Sequence, residues 1–274
     1  MPEYFAHIYL LVFAKIAVGG LLSLSIPPFA QMERGFYKST AAVYLLAAIA
    51  TAGGELTLAS GTGPFSPSGI EITLWSAFAA VFAVYWVSLY VKRPRLRALS
   101  YPAALVVGLV ALATSAWQLA PQVSTPLAGL IPTVWAFAGA AVLGAGASGM
   151  LLGHWYLIDT GLDLAPLLRM TRFYRRALIW QIGAVTGCVA AAWLLPGQAW
   201  SSGFDSVTEL LPAWLVVGRI TGWGLAVMLG ALISRTLAIP QTMAATGLFY
   251  IAALVVCVGE IIAHWLMFRT GLFL

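Results

Sequence analysis

Apolar runs long enough to cross a bilayer recur eight times along this chain, and no other feature of the sequence limits its fold as tightly. At ~20 residues per crossing, spans are expected near 6–28, 40–60, 71–91, 99–119, 130–158, 176–195, 213–235 and 243–268. Turn signals separate them, among them Ile26-Pro27-Pro28, Gly61-Thr62-Gly63-Pro64, Ala120-Pro121 and Leu195-Pro196-Gly197. Hydrophobic residues make up 61% of the 274 and charged residues only 8%. A water-soluble domain of this length could not cover its surface with so few charges, and no such domain fits between the runs. The expectation is an all-α, polytopic membrane protein: eight transmembrane helices in one integral domain, residues 1–274.

Charge in the connections sets the expected orientation. Alternate connections carry Arg34 and Lys38; Lys92, Arg93, Arg95 and Arg97; Arg169, Arg172, Arg175 and Arg176; and Arg235. The other side carries only Arg269, with Glu3, Glu71, Asp205 and Glu209. By the positive-inside rule the basic side is cytoplasmic, so both termini are expected on the extracytoplasmic face, in agreement with an even number of crossings. The sequence pI near 9.4 follows from this loop asymmetry and does not indicate nucleic acid, because the basic residues are spread over short juxtamembrane turns. Clustered Arg169, Arg172, Arg175 and Arg176 retain their loop inside and meet anionic lipid.

Met1-Pro2-Glu3 lacks a basic leader and runs straight into a full-length span, which is unlike a cleavable signal peptide. Cys188 and Cys257 both fall in apolar runs. Iron–sulfur clusters need about four thiolates, so this chain is expected to hold none, and both cysteines read as packing residues. The fifth span is long and rich in small residues (Gly139, Gly144, Gly146, Ser148, Gly149), which let membrane helices approach closely and predict a central position. Pro132 near its start could bend it. The connection at 196–212, with Trp200, Phe204, Asp205 and Glu209, reads either as a short amphipathic helix along the interface or as a docking surface for an external partner.

Six ionisable residues fall within the spans or at their edges: His7, Lys15, Glu55, Arg219, Glu260 and His264. Such groups are costly at membrane depth and usually have a partner or a task. Glu260 and His264 are one helical turn apart and share a face. Counting a rise of ~1.5 Å per residue from each helix end puts all six in the outer half of the membrane. Ion pairs that only fix packing, Arg219 with Glu260 or Lys15 with Glu55, are one reading. A polar cavity with proton acceptors and hydrogen-bond donors beside apolar walls is the other, and it suits a quinone headgroup. A b-type haem held between His7 and His264 is a competing use of the imidazoles. His154, in Gly153-His154-Trp155-Tyr156, lies near the opposite boundary and reads as an interfacial hydrogen-bonding residue. Trp155 and Tyr156 read as anchors, and Asp159 and Asp163 as solvated loop acids.

Gly259-Glu260-Ile261-Ile262-Ala263-His264, followed by Trp265 and Phe268, resembles the last helix of the membrane-anchor subunits of DMSO-reductase and polysulfide-reductase complexes, the NrfD/DmsC-like quinol-interacting proteins. Eight crossings with both ends outside are similar to that family as well. So is a first helix with a polar outer mouth at His7 and Gly19-Gly20 further in. The sequence departs from the family in having His264 where arginine stands, and Gly53-Gly54-Glu55-Leu56 where a His-Leu-Gly-x-Pro-like element follows the second helix. The resemblance implies a quinone near the outer face, with electrons passing to an external redox subunit. It implies Glu260 and His264 as residues of the quinone pocket, with His7 beside them.

The expected function is a quinone-interacting anchor of a respiratory oxidoreductase in a prokaryotic cytoplasmic membrane. It would work with menaquinone or ubiquinone and an extracytoplasmic iron–sulfur or cytochrome partner. Glu260 and His264 take protons from quinol, Glu55 relays them, and Arg219 or Lys15 orients a carbonyl or holds Glu260 ionised. The rival from a different class is a secondary transporter or channel using the same polar level, although inverted repeats and broken helices are not evident. A lipid- or prenyl-modifying enzyme is disfavoured by the lack of an acidic magnesium cluster.

Overall fold

A backbone in hydrocarbon has no water to bond, so each crossing must satisfy its own N–H and C=O groups, and a helix does this within one segment. The computed structural model describes residues 4–59, 66–91, 93–119, 127–159, 161–194, 198–207, 210–239 and 241–274. Glu3, Lys92 and Glu209, the leader Met1-Pro2-Glu3, and the turns Gly61–Pro64, Ala120-Pro121 and Leu195-Pro196-Gly197 lie outside the described residues, as does the side chain of Trp200. The protein is 88% helical with no strand among the described residues. Its helices are α1 (Phe5–Ser23), α2 (Arg34–Leu58), α3 (Gly69–Ser88), α4 (Pro94–Gln118), α5 (Leu127–Ile158), α6 (Ala165–Leu194), α7 (Gln198–Val207), α8 (Leu210–Ala238) and α9 (Thr242–Thr270).

Eight of these are long and apolar enough to span a membrane. The exception, α7, is a ten-residue helix in the connection between α6 and α8. Large apolar side chains such as Leu46, Leu99, Ile179, Trp193 and Met243 cover the exterior. That is the surface of a multi-pass membrane protein and would be untenable in water. Local signals place the ends. Ser68 accepts from the Glu71 amide while the Glu71 carboxylate accepts from the Ser68 amide, a reciprocal cap that starts α3. Pro94 occupies the first turn of α4, where its missing N–H costs nothing.

The start of α1 and the end of α9 meet at one end of the bundle, where Tyr4 stacks on Phe268 with centroids 5.3 Å apart. The opposite end carries the basic connections. There Lys38 lies 4.3 Å from the Tyr90 ring centroid and Arg97 lies 3.7 Å from that of Phe29. His154 pairs with the Tyr250 hydroxyl at 3.1 Å at this end too.

Helix α5 is the axis of the assembly. Its spanning window is 72% buried, against 28–50% for the others, and it packs on α1, α4, α6 and α9. Small residues permit this. A Cβ added at Gly19 would collide with the Ala140 carbonyl, and one at Gly144 with the Gly19 carbonyl. Helices α1 and α5 therefore cross backbone to backbone. Close approach of this kind is what drives membrane helices together when the solvent is itself apolar. Near the crossing the Tyr44 hydroxyl and Ser148 share a buried 2.6 Å hydrogen bond.

Gly19→Val and Gly144→Leu should each destabilise the protein by at least the ~1–3 kcal/mol typical of overpacking, because main chain cannot swing aside as a side chain can. Gly247→Ala, whose added Cβ meets nothing within 4 Å, should leave it unchanged. Thermal unfolding of the detergent-purified variants checks the contrast; equal midpoints for all three would refute the crossing.

Candidate functional site

The most polar point in the bundle lies at the Glu260 carboxylate, and the elements around it explain why it can exist there. Glu260 projects from α9 and is fully buried. Its Oε2 lies 2.8 Å from Lys15 Nζ of α1. Its Oε1 accepts from Arg219 Nη2 of α8 at 2.8 Å and from Gln181 Nε2 of α6 at 2.6 Å. Four helices thus converge on one side chain. Room for it comes from α5, where a Cβ at Gly139 would collide with Glu260 Oε2 and stand 2.8 Å from Lys15 Nζ. The Lys15 ammonium also sits 3.5 Å from the Trp135 ring centroid of α5, a cation–π contact that is worth more when desolvated.

One turn along α9, His264 packs edge-on against Trp135 with centroids 4.8 Å apart. Its Nδ1 lies 2.6 Å from the Glu260 carbonyl oxygen. A carbonyl only accepts, so Nδ1 carries the hydrogen of this bond. In the neutral ring that leaves Nε2 as the basic nitrogen. Nε2 is buried with no hydrogen-bond partner.

Formal charge in this network does not balance, since two cations face one carboxylate. Arg219 Nε and the indole nitrogen of neighbouring Trp223 are likewise buried donors without partners. The Arg219 guanidinium carbon lies 4.9 Å from the Trp223 ring centroid. Unpaired donors and an unmatched positive charge are both costly in low dielectric, so this side of the network is suited to an electronegative group.

The six sequence candidates divide between two levels. Lys15, Arg219, Glu260 and His264 come together as described. His7 and Glu55 do not join them. They line a separate cavity of about 80 Å³ at the end of the bundle where α1 begins, together with Glu71, Ser66, Ser115 and Gln118. His7 precedes Lys15 by eight residues on α1, a separation of about 12 Å along the axis, and Leu10 and Leu11 stand at the boundary. The cavity has room for several waters, each of which needs about 10–15 Å³ of such space. A haem fits poorly between the two histidines. His7 packs on Phe268, while His264 is wholly buried against Trp135, which leaves its Nε2 no open face for an iron porphyrin. No group of three potential metal ligands occurs among the described residues.

Sequence reading missed Gln181 and Trp135, and took Gly139 only as one of the small residues that let α5 pack closely. Gln181 had a usable signal: it is an uncharged amide isolated in the apolar run Ile179-Trp180-Gln181-Ile182, and such amides bond across membrane helices. Trp135 and Gly139 had none, because apolar and small residues are common throughout α5. Glu71 was read only as a connection charge, yet it caps α3 and lines the cavity with Glu55.

No protein-family model matches this chain, and a comparison with curated proteins finds no match either.

Glu260→Gln should be the most damaging single change in the network, because it leaves two buried cations without a counter-charge. Breaking buried pairs in this way costs about 3–5 kcal/mol. Lys15→Met leaves Arg219 and Glu260 as a balanced pair and should cost clearly less, and the double variant should recover part of the Glu260→Gln loss. Denaturant titration in mild detergent measures all three, and a double variant no better than Glu260→Gln alone would contradict the charge arithmetic.

Proposed function

We propose that this protein is a quinone-interacting membrane subunit of a respiratory oxidoreductase. In this reading it sits in a prokaryotic cytoplasmic membrane with both termini on the extracytoplasmic side, and it works with menaquinone or ubiquinone. The observation that carries the reading is the composition of the buried network. Within hydrocarbon it combines unpaired donors on Arg219 and Trp223 with a basic nitrogen on His264 that has no partner. Reversible redox chemistry of a lipid-soluble quinone needs those parts: donors for carbonyl oxygens, and an acceptor for the proton lost when the hydroxyl is oxidised. The resemblance of the Gly259-Glu260 segment to quinol-interacting anchors points the same way.

The residues then take distinct roles. The oxygens of Glu260 already accept from Lys15, Arg219 and Gln181, so this carboxylate is a positioning residue that aims the Arg219 guanidinium. Arg219 and Trp223 donate to a carbonyl oxygen of the ligand. His264 Nε2, closed off in this structure, accepts the protons once side-chain motion or an intervening water links it to the quinol. The quinol supplies two electrons and two protons per oxidation; His264 takes the protons one at a time, passing the first on before it accepts the second, and the electrons leave through an extracytoplasmic iron–sulfur or cytochrome subunit, since this chain has only two cysteines. His7, Glu55 and Glu71, in the cavity at the terminal end of the bundle, suit proton release toward that face.

Two variants separate binding from proton transfer. Arg219→Lys keeps a charge but loses the forked donor, and should raise KM for a short-chain quinol with a smaller effect on kcat. His264→Gln should lower kcat by about 10²–10⁴-fold, the usual contribution of a general base, with KM little changed. Turnover of the native complex with menaquinol and ubiquinol analogues reads both. Undiminished kcat in His264→Gln, or solute transport by this chain alone in proteoliposomes, would overturn the reading.

A further inference from the structure

Arg219 borders the network on one side and a lipid-facing groove on the other. The groove runs between α6, α7 and α8, encloses about 410 Å³, and is lined by Val185, Val189, Phe204, Ile220 and Trp223 beside Arg219. That volume lies in the range of ligand sites, about 300–1,000 Å³. Its walls are mostly hydrocarbon; Thr186, whose hydroxyl bonds back to the Ile182 carbonyl, and the terminal residue Leu274 also line it, and Arg219 and Trp223 are the lining residues that keep unpartnered buried donors. The groove therefore joins an apolar channel to the positive excess of the Glu260 network.

Depth identifies the class of occupant. Arg219 lies nine residues, about 14 Å along the axis, from Leu210, where α8 begins. It is thus below the headgroup layer, inside the ~30 Å hydrocarbon core. A phosphate stays in the headgroup layer, so a phospholipid seated here would bring only acyl chain to Arg219 and leave the charge unmatched. A molecule whose uncharged head carries strong acceptors can sink to that level and still trail a hydrocarbon tail.

Resting on the reading above, we propose that this groove is the seat of the quinone and its lateral entrance from the bilayer, with the head at Arg219 and Trp223 and the isoprenoid tail along α6 and α8. Helix α7 forms the outer lip through Phe204. The head would approach Glu260 from the Arg219 side.

Photolabelling of the full-length protein with an azido-quinone, followed by peptide mass spectrometry, tests the seat. Label is expected on segments 185–193 and 216–223, displaced by excess unlabelled quinone. Filling the groove with Val189→Trp should weaken labelling by about tenfold, the change about 1.4 kcal/mol produces. Displaceable label on other segments would overturn the seat and leave the functional reading standing. Label in the groove that excess quinone fails to displace would mark ordinary lipid-facing surface and overturn the seat as well. No displaceable label anywhere would remove the seat and the functional reading together.

Discussion

Everything distinctive about this protein depends on one buried carboxylate held by two cations. Glu260 is bonded by Lys15, Arg219 and Gln181 from three other helices, so the network fixes how α1, α6, α8 and α9 are placed around α5. A charge pair at this depth is a poor source of stability compared with hydrocarbon packing. Its effect is to tie the four helices to one shared carboxylate. The unmatched second cation is harder to explain by architecture alone, because a structural pair would need only one. Lys15 offsets part of its own desolvation through the Trp135 face. Arg219 has a longer contact of that kind with the Trp223 ring, and its Nε has no hydrogen-bond partner.

Division into two polar levels gives the bundle a direction. The deep network is closed to solvent, while the cavity at His7 and Glu55 lies near the helix ends and is lined by hydroxyl, amide and carboxyl groups. A redox reaction in the membrane needs that kind of separation. In the proposed redox reading, electron transfer would take place where water is excluded, and protons would leave through the cavity at the helix ends. Leu10 and Leu11 stand between the two, so proton traffic would depend on side-chain motion or transient water and not on a standing chain of hydrogen bonds.

Much of the fold was legible because membrane insertion imposes a simple rule on the sequence. All eight spanning helices overlap the apolar runs, but α6 begins at Ala165, well ahead of its run at 176–195, so Arg169, Arg172, Arg175 and Arg176 lie on the helix and not in a loop; the connection at 196–212 contains the helix α7. The site was legible only in part. Lys15, Arg219, Glu260 and His264 announced themselves as ionisable residues in hydrocarbon, and they do converge. Depth counting placed His7 and Glu55 beside them, and there the method reached its limit. Rise along a helix gives a level to within a turn or two, but helix rotation and the reach of a long lysine decide who meets whom. Lys15 lies at the middle of α1, not in its outer part, because the true helix starts at Phe5 and ends at Ser23. Gln181 bonds the carboxylate as an uncharged donor, and a search for charge passes over it. Gly139 contributes by having no side chain at all.

The crossing of α1 and α5 has a consequence for how the protein can work. Where two helices touch main chain to main chain, neither can slide or rock without breaking several contacts at once, and Lys15 lies one turn from that crossing at Gly19. The Lys15–Glu260 pair is therefore carried on a stiff frame whose dipoles are already oriented before any ligand arrives. Machines that expose a site alternately to two compartments need a seam that gives way, and this seam is the tightest in the molecule. A rigid polar environment instead favours fast charge movement with little nuclear rearrangement.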